Sequence, residues 1–101
     1  MTQPQPQRAS RVLIIEDDGE VAELQRTVLT RAGFDVRTAQ TGSAGLTAAV
    51  EYRPDIVLLD VGLPDMSGLD VCARLADTLD AYVLMVSGHS REEDILRGLG
   101  L

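Results

Sequence analysis

Val12-Leu13-Ile14-Ile15-Glu16-Asp17-Asp18 sets the architecture expected of this chain. Its first four residues are aliphatic without interruption, where a half-exposed strand would alternate, so the run reads as a strand covered on both faces. Acids follow at once. Asp17 and Asp18 stand where a helix N-cap is expected, and Glu20, three residues beyond Asp17, fits as a capping-box partner. The pattern of an apolar run closed by a polar residue recurs twice. Ile56-Val57-Leu58-Leu59 runs into Asp60, and Tyr82-Val83-Leu84-Met85-Val86 runs into Ser87-Gly88.

The segments between these runs have helical periodicity. Val21, Leu24, Val28, Leu29 and Ala32 make one apolar stripe, with Glu20, Glu23, Arg26 and Arg31 outside it, and Gly33 closes this first helix. Phe34 to Ala39 reads as a short second strand. Thr41 caps a second helix that runs to about Glu51, with Ala44, Leu46, Ala48, Ala49 and Val50 as its apolar side; Arg53-Pro54 ends it. Ser67, with Asp70 three residues later, caps a third helix whose inward residues are expected to be Leu69, Cys72, Leu75 and Ala76. Arg91 to Leu99 begins a fourth. Met1 to Ser10 is polar, carries two prolines and has no apolar period, so it reads as a disordered tail ahead of one domain spanning residues 11–101. Strands alternating with helices predict an α/β fold, a doubly wound parallel sheet whose ligands bind at the carboxyl ends of the strands.

Composition narrows the function classes. Among 101 residues, 16 Asp and Glu face nine basic residues, all Arg, for a formal charge of −7, which excludes a basic module binding nucleic acid directly. The single cysteine, Cys72, has no internal disulfide partner, and it reads as a small buried hydrophobe on the third helix. With no signal peptide and no long apolar run, the reading is a reduced, cytoplasmic protein without a membrane span. Without lysine there is no phosphate-binding GxxxxGK[ST] loop, so nucleotide hydrolysis by that device is excluded. His89, the only histidine, follows Ser87-Gly88 with no partner pattern and reads as loop-lining or solvated.

In a parallel sheet, Glu16, Asp17 and Asp60 converge at neighbouring strand ends, and three carboxylates there repel one another unless a cation is present. An all-oxygen site of this kind suits Mg²⁺, which takes one or two carboxylates and leaves room for phosphate oxygens. Asp17 and Asp18 have a competing role as helix caps. Asp60 does not, because it leaves a buried strand with no helix directly after it to cap.

Val12 to Asp18, Pro54-Asp55 with Ile56 to Asp60, Leu63-Pro64, Gly68, and Val83 to Gly88 together resemble a bacterial response-regulator receiver domain, the phosphoacceptor of two-component signalling. The resemblance covers residues 11–101. It implies a flavodoxin-like receiver fold with strand order 2-1-3-4, the family's fifth strand and helix being absent from the sequence. It also implies that Asp60 accepts a phosphoryl group from a sensor histidine kinase. Glu16, Asp17, Asp60 and the Gly62 backbone carbonyl would hold Mg²⁺, and Ser87 would hydrogen-bond the phosphoryl group and move toward it. On this reading the domain is a switch, not a turnover enzyme.

Two features depart from the family pattern, the absence of a lysine and a length that stops short of the family's fifth strand and helix. The family uses a lysine at the end of its fifth strand, and this chain has none. The fourth strand is then expected to be an open sheet edge, inviting pairing with a second copy by dimerisation or strand swapping. Two rival readings remain. A receiver that only binds partners is favoured by the missing lysine, against the intact acids and Ser87. A Mg²⁺-dependent aspartyl-phosphate phosphatase would want a second acid two residues after Asp60, where Gly62 stands.

Overall fold

The apolar runs become the strands, and the computed structural model describes residues 8–86 and 96–100. β1 (Arg11–Ile15), β2 (Asp35–Ala39), β3 (Ile56–Asp60) and β4 (Tyr82–Val86) alternate with α1 (Gly19–Arg31), α2 (Gly42–Tyr52) and α3 (Gly68–Thr78). The sheet is parallel throughout, in the order β2-β1-β3-β4 that the resemblance implied. β1 and β3 are central, which is why their runs are unbroken. Alternate residues of β1 serve opposite layers. Leu13 and Ile15, with Val57 and Leu59, pack against Ala49 and Tyr52 of α2 and Val71 and Leu75 of α3. Val12 and Ile14, with Leu58, pack against Ala22 and Leu29 of α1.

The caps follow local chemistry. Asp18, rather than Asp17, is the N-cap of α1, its carboxylate accepting from the Glu20 and Val21 N–H groups; no Asp17–Glu20 capping box forms. Gly33, with φ +98°, ends the helix, and the Gly33 and Phe34 N–H groups bond back to Thr30 and Leu29 in a Schellman turn, so β2 starts at Asp35, one residue later than expected. Thr41 and Ser67 cap α2 and α3 as expected. Arg53 closes α2 in the left-handed region, with φ 51°, directly before Pro54.

Each helix buries part of the face that hydropathy predicts, with Val28, Leu29, Ala49 and Leu75 buried as expected and Leu46, Ala48 and Cys72 packed against the core, but each also turns small residues inward in place of larger ones. In α1 the buried residues are Ala22, Gln25, Val28 and Leu29, while Leu24 is 59% exposed and Ala32 is also exposed. In α2 they are Gly42, Gly45, Ala49 and Tyr52, and Val50 is 61% exposed. In α3 they are Gly68, Val71 and Leu75; Leu69 is 73% exposed, Ala76 is exposed and Cys72 is half-buried. The cause is close approach. A Cβ on Gly45 would press on Ile15 Cδ1 and lie 2.8 Å from its Cγ1, and one on Gly68 would lie 3.3 Å from Val61 Cα. Small residues let the helix backbones settle on the sheet, and larger apolar neighbours are turned outward.

At the other end of the strands, Asp55 gathers the first residues of the described chain. Arg8 donates to it through both guanidinium nitrogens at 2.8 and 3.0 Å, and the Arg11 N–H donates at 2.8 Å. The Asp35 N–H donates to the Ser10 carbonyl, so Arg8 to Ser10, which composition placed in the tail, lie against the domain. Of the expected fourth helix, residues 91–95 lie outside the described residues. Leu96 to Gly98 are helical, and Leu99 packs against the Val12–Ile14 cluster on the α1 side of the sheet.

The Gly45–Ile15 contact leaves no room for a branched side chain. Gly45→Val is expected to lower unfolding free energy by about 1–3 kcal/mol through overpacking. Leu24→Ala, at a position that periodicity puts in the core, is expected to change it by less than about 0.5 kcal/mol. Urea titrations of both variants decide between the two faces.

Candidate functional site

Register places the acids. Ile15 of β1 pairs with Leu59 of β3, so the next residues, Glu16 and Asp60, are lateral neighbours at the carboxyl end of the sheet. The Glu16 N–H donates to the Ala39 carbonyl at 2.9 Å, carrying the β1–β2 ladder one residue beyond the strand and holding Glu16 in line. Glu16 is 2% exposed and Asp60 6%, whereas Asp17 is open to solvent. One carboxylate oxygen from each of the three lies within 4.8 Å of the other two. Asp18 faces the helix instead.

Glu16 is the strained member of the group. Its Oε1 accepts the Asp18 N–H at 3.1 Å, but its Oε2 is buried with no hydrogen-bond partner among the described residues. Burial pushes its carboxyl up to about 7; the negative charge of Asp60 and the neighbouring Asp17 add to the push, and the Asp18 N–H opposes it. A buried acceptor oxygen without a donor, beside two further carboxylates, is a donor set that fits a hard cation.

The other expected residues are distributed as follows. Gly62 lies exposed in the loop after β3, and a Cβ there would be 3.8 Å from Asp60 Oδ2, so this residue borders the acidic group. Ser87, Gly88 and His89 lie outside the described residues. The chain is brought to their threshold, because the Val61 N–H donates to the Val86 carbonyl at 3.1 Å and so sets the end of β4 beside the residue after Asp60. Asp65 was not singled out by the sequence. Its carboxylate accepts the Gly42 N–H at 2.8 Å and the Ser43 N–H at 3.0 Å, and these donors hold its carboxyl below the usual range. Nothing in Pro64-Asp65-Met66 tells which helix that carboxylate will reach.

A pH dependence follows from Glu16. Its folded carboxyl titrates near 7 and its unfolded one near the ordinary 4.5, so between those values the folded state holds the extra proton. Stability without metal is therefore expected to fall as pH rises through that window, by roughly 1–3 kcal/mol. Thermal melts from pH 5 to 8 check this, with Glu16→Gln expected to flatten the slope.

The sequence and the fold recur in known proteins. A family model described as the response regulator receiver domain matches residues 12–101. The chain is 43% identical over 88 residues to the transcriptional regulatory protein KdpE of Mycobacterium tuberculosis, covering 87% of this chain and 39% of that one. It is 40% identical over 89 residues to the DNA-binding response regulator MtrA of Mycolicibacterium smegmatis, covering 88% and 39%. It thus spans well under half the length of these curated relatives. Among solved structures, a CheY-like receiver domain protein from Methanospirillum hungatei superposes with a TM-score of 0.74 at 26% identity, over 91% of this chain and 74% of that one. The chemotaxis protein CheY4 of Vibrio cholerae, at 20% identity, has a TM-score of 0.77 over 91% and 97% and shares the fold. Parallel strands in the order 2-1-3-4 that deliver three acids to one end of the sheet are thus accounted for by descent: this chain belongs to the response regulator receiver family of two-component regulatory systems.

Proposed function

We propose that this domain is a stoichiometric phosphoacceptor, taking a phosphoryl group onto Asp60 from the phosphohistidine of a sensor histidine kinase. The observation that carries the reading is Glu16 Oε2, a buried carboxylate oxygen without a donor, set among the oxygens of Asp17 and Asp60. Such an arrangement is costly alone and becomes favourable around Mg²⁺, so Glu16, Asp17, Asp60 and the Gly62 carbonyl fit as its ligands. When bound, the ion supplies charge neutralisation for the phosphoryl oxygens.

The residues of the chain do the rest. A carboxylate oxygen of Asp60 attacks phosphorus; the new O–P bond replaces the P–N bond, whose electron pair returns to the imidazole of the kinase, and the product is an acyl phosphate. Asp60 is presented at the end of a strand fixed on both sides by β1 and β4, which restricts its approach to one direction. Ser87 follows directly after β4 and is assigned the hydrogen bond to the phosphoryl group. Because Asp60 is modified rather than regenerated in the same step, the domain is a switch and not an enzyme with turnover.

The location follows from the partner, a kinase whose phosphohistidine is presented in the cytoplasm; among the described residues no helix is long and apolar enough to cross a membrane. β4 is the outer strand of the described sheet, and two copies joined along it form the dimer that this reading carries. Light scattering that returns the mass of one chain would remove the dimer from the proposal.

The phosphoacceptor is tested with a small-molecule phosphodonor and Mg²⁺, following intact mass. The wild-type chain is expected to gain one phosphoryl group, while Asp60→Asn gains none and a chelator abolishes the gain. A folded wild-type chain that stays unmodified overturns the assignment.

A further inference from the structure

The loop that follows Asp60 is held by the start of a helix that precedes it in sequence. Residues 61–67 join β3 to α3, and both ends are fixed: the Val61 N–H donates to the Val86 carbonyl, and Ser67 Oγ caps α3 by accepting the Asp70 N–H at 3.1 Å. Between these ends Gly62 is exposed and has no side chain with which to pack. Its carbonyl is therefore placed by its neighbours. Leu63 precedes Pro64, so both have restricted backbones, and the segment behaves as a short stiff arm whose far end is Asp65.

That far end is clamped twice. The Asp65 carboxylate takes the N–H groups of Gly42 and Ser43, one on each oxygen, at 2.8 and 3.0 Å. Met66 lies over Gly42 so closely that a Cβ there would be 2.9 Å from Met66 Sδ. The first two N–H groups of the helix are committed to this contact. Its next free donor, the Ala44 N–H, is taken by Thr41 Oγ1 at 3.0 Å, so Asp65 and Thr41 divide the first turn of α2 between them. α2 is itself seated on β1 through Gly45 and Ile15, and Ile15 is the residue before Glu16. One rigid path thus runs from Glu16 through α2 and Asp65 to the stretch that contains Gly62.

We infer that Asp65 is a positioning residue of the metal site, acting through the 61–67 loop to hold the Gly62 carbonyl in register with Glu16, Asp17 and Asp60. The inference rests on the reading of that site as a Mg²⁺ centre. Thr41 is the control, because it caps the same turn of the same helix with one side-chain bond and does not reach the loop.

The test is a Mg²⁺ titration of the 101-residue chain, followed by the amide resonances of residues 60–62, with thermal melts run in parallel. Asp65→Ala is expected to weaken Mg²⁺ binding by about 10-fold or more, the usual scale for losing an outer support of a metal ligand. Thr41→Ala is expected to lower the melting temperature while keeping Mg²⁺ affinity within about 2-fold, since a lost cap alone costs helix stability. Should Asp65→Ala fail to fold, Asp65→Asn, which keeps one acceptor oxygen, is expected to give an intermediate weakening. Wild-type affinity in the Asp65 variants, or equal weakening in Thr41→Ala, overturns the positioning role and leaves the metal site standing. A wild-type chain whose resonances do not respond to Mg²⁺ overturns the metal reading and this inference together.

Discussion

Parallel pairing of β1 with β3 fixes the acidic end of the sheet. Register between Ile15 and Leu59 leaves no freedom in where the following residues go: Glu16 and Asp60 must stand side by side, both nearly buried, with Asp17 just above them. Two adjacent acids in a poorly solvated place repel each other, and the fold accepts that cost at the point where its ladders are most regular. The Val12–Ile14 and Leu13–Ile15 layers, buried completely on opposite sides, supply the apolar burial that offsets it. Below the acids, the buried residues of β1 and β3, Val12 to Ile15 and Val57 to Leu59, are all aliphatic.

How much of this was legible in the sequence depends on what each residue had to signal. The strands were legible almost to the residue, because an unbroken run such as Val12 to Ile15 or Tyr82 to Val86 has one natural place in an α/β fold. The acids were legible because each closes such a run. Helix faces were legible only in part: Val28, Leu29, Ala49 and Leu75 are buried as expected. Hydropathy gives weight to Leu24, Val50 and Leu69 and none to Ala22, Gly42, Gly45 or Gly68, yet it is the second group that touches the sheet or the loop above it. A shift of one residue is a rotation of about 100°, enough to exchange core for surface. What decides the face is the distance available between helix and sheet, which is a property of the assembled layers and not of a window of sequence.

Asp65 shows a second limit of the same kind. Its type and its neighbour Pro64 say turn, and it is in a turn; its partners lie 22 and 23 residues earlier. Thr41 and Ser67 cap their own helices and were legible, since a cap that acts within its own element leaves a local signature. A carboxylate that caps someone else's helix leaves none. Asp17 and Asp18 fall between these cases: two adjacent acids shared the work of cap and site, and only the path of the backbone out of β1 assigned Asp18 to the helix and Asp17 to the cluster.

The contact between Gly45 and Ile15 divides α2 into two unequal evolutionary surfaces. On the inward side, an added atom on Gly45 would press on Ile15 of the strand that leads into Glu16, one on Gly42 would press on Met66, and Ala49 is fully buried. On the opposite side, Ala44, Thr47, Val50 and Glu51 face solvent and are free to drift. Two receivers of this type can therefore differ widely along the exposed side of α2 and still carry superimposable acidic centres. The geometry of the acidic centre thus rests on one face of an eleven-residue helix, while the other face bears no such load.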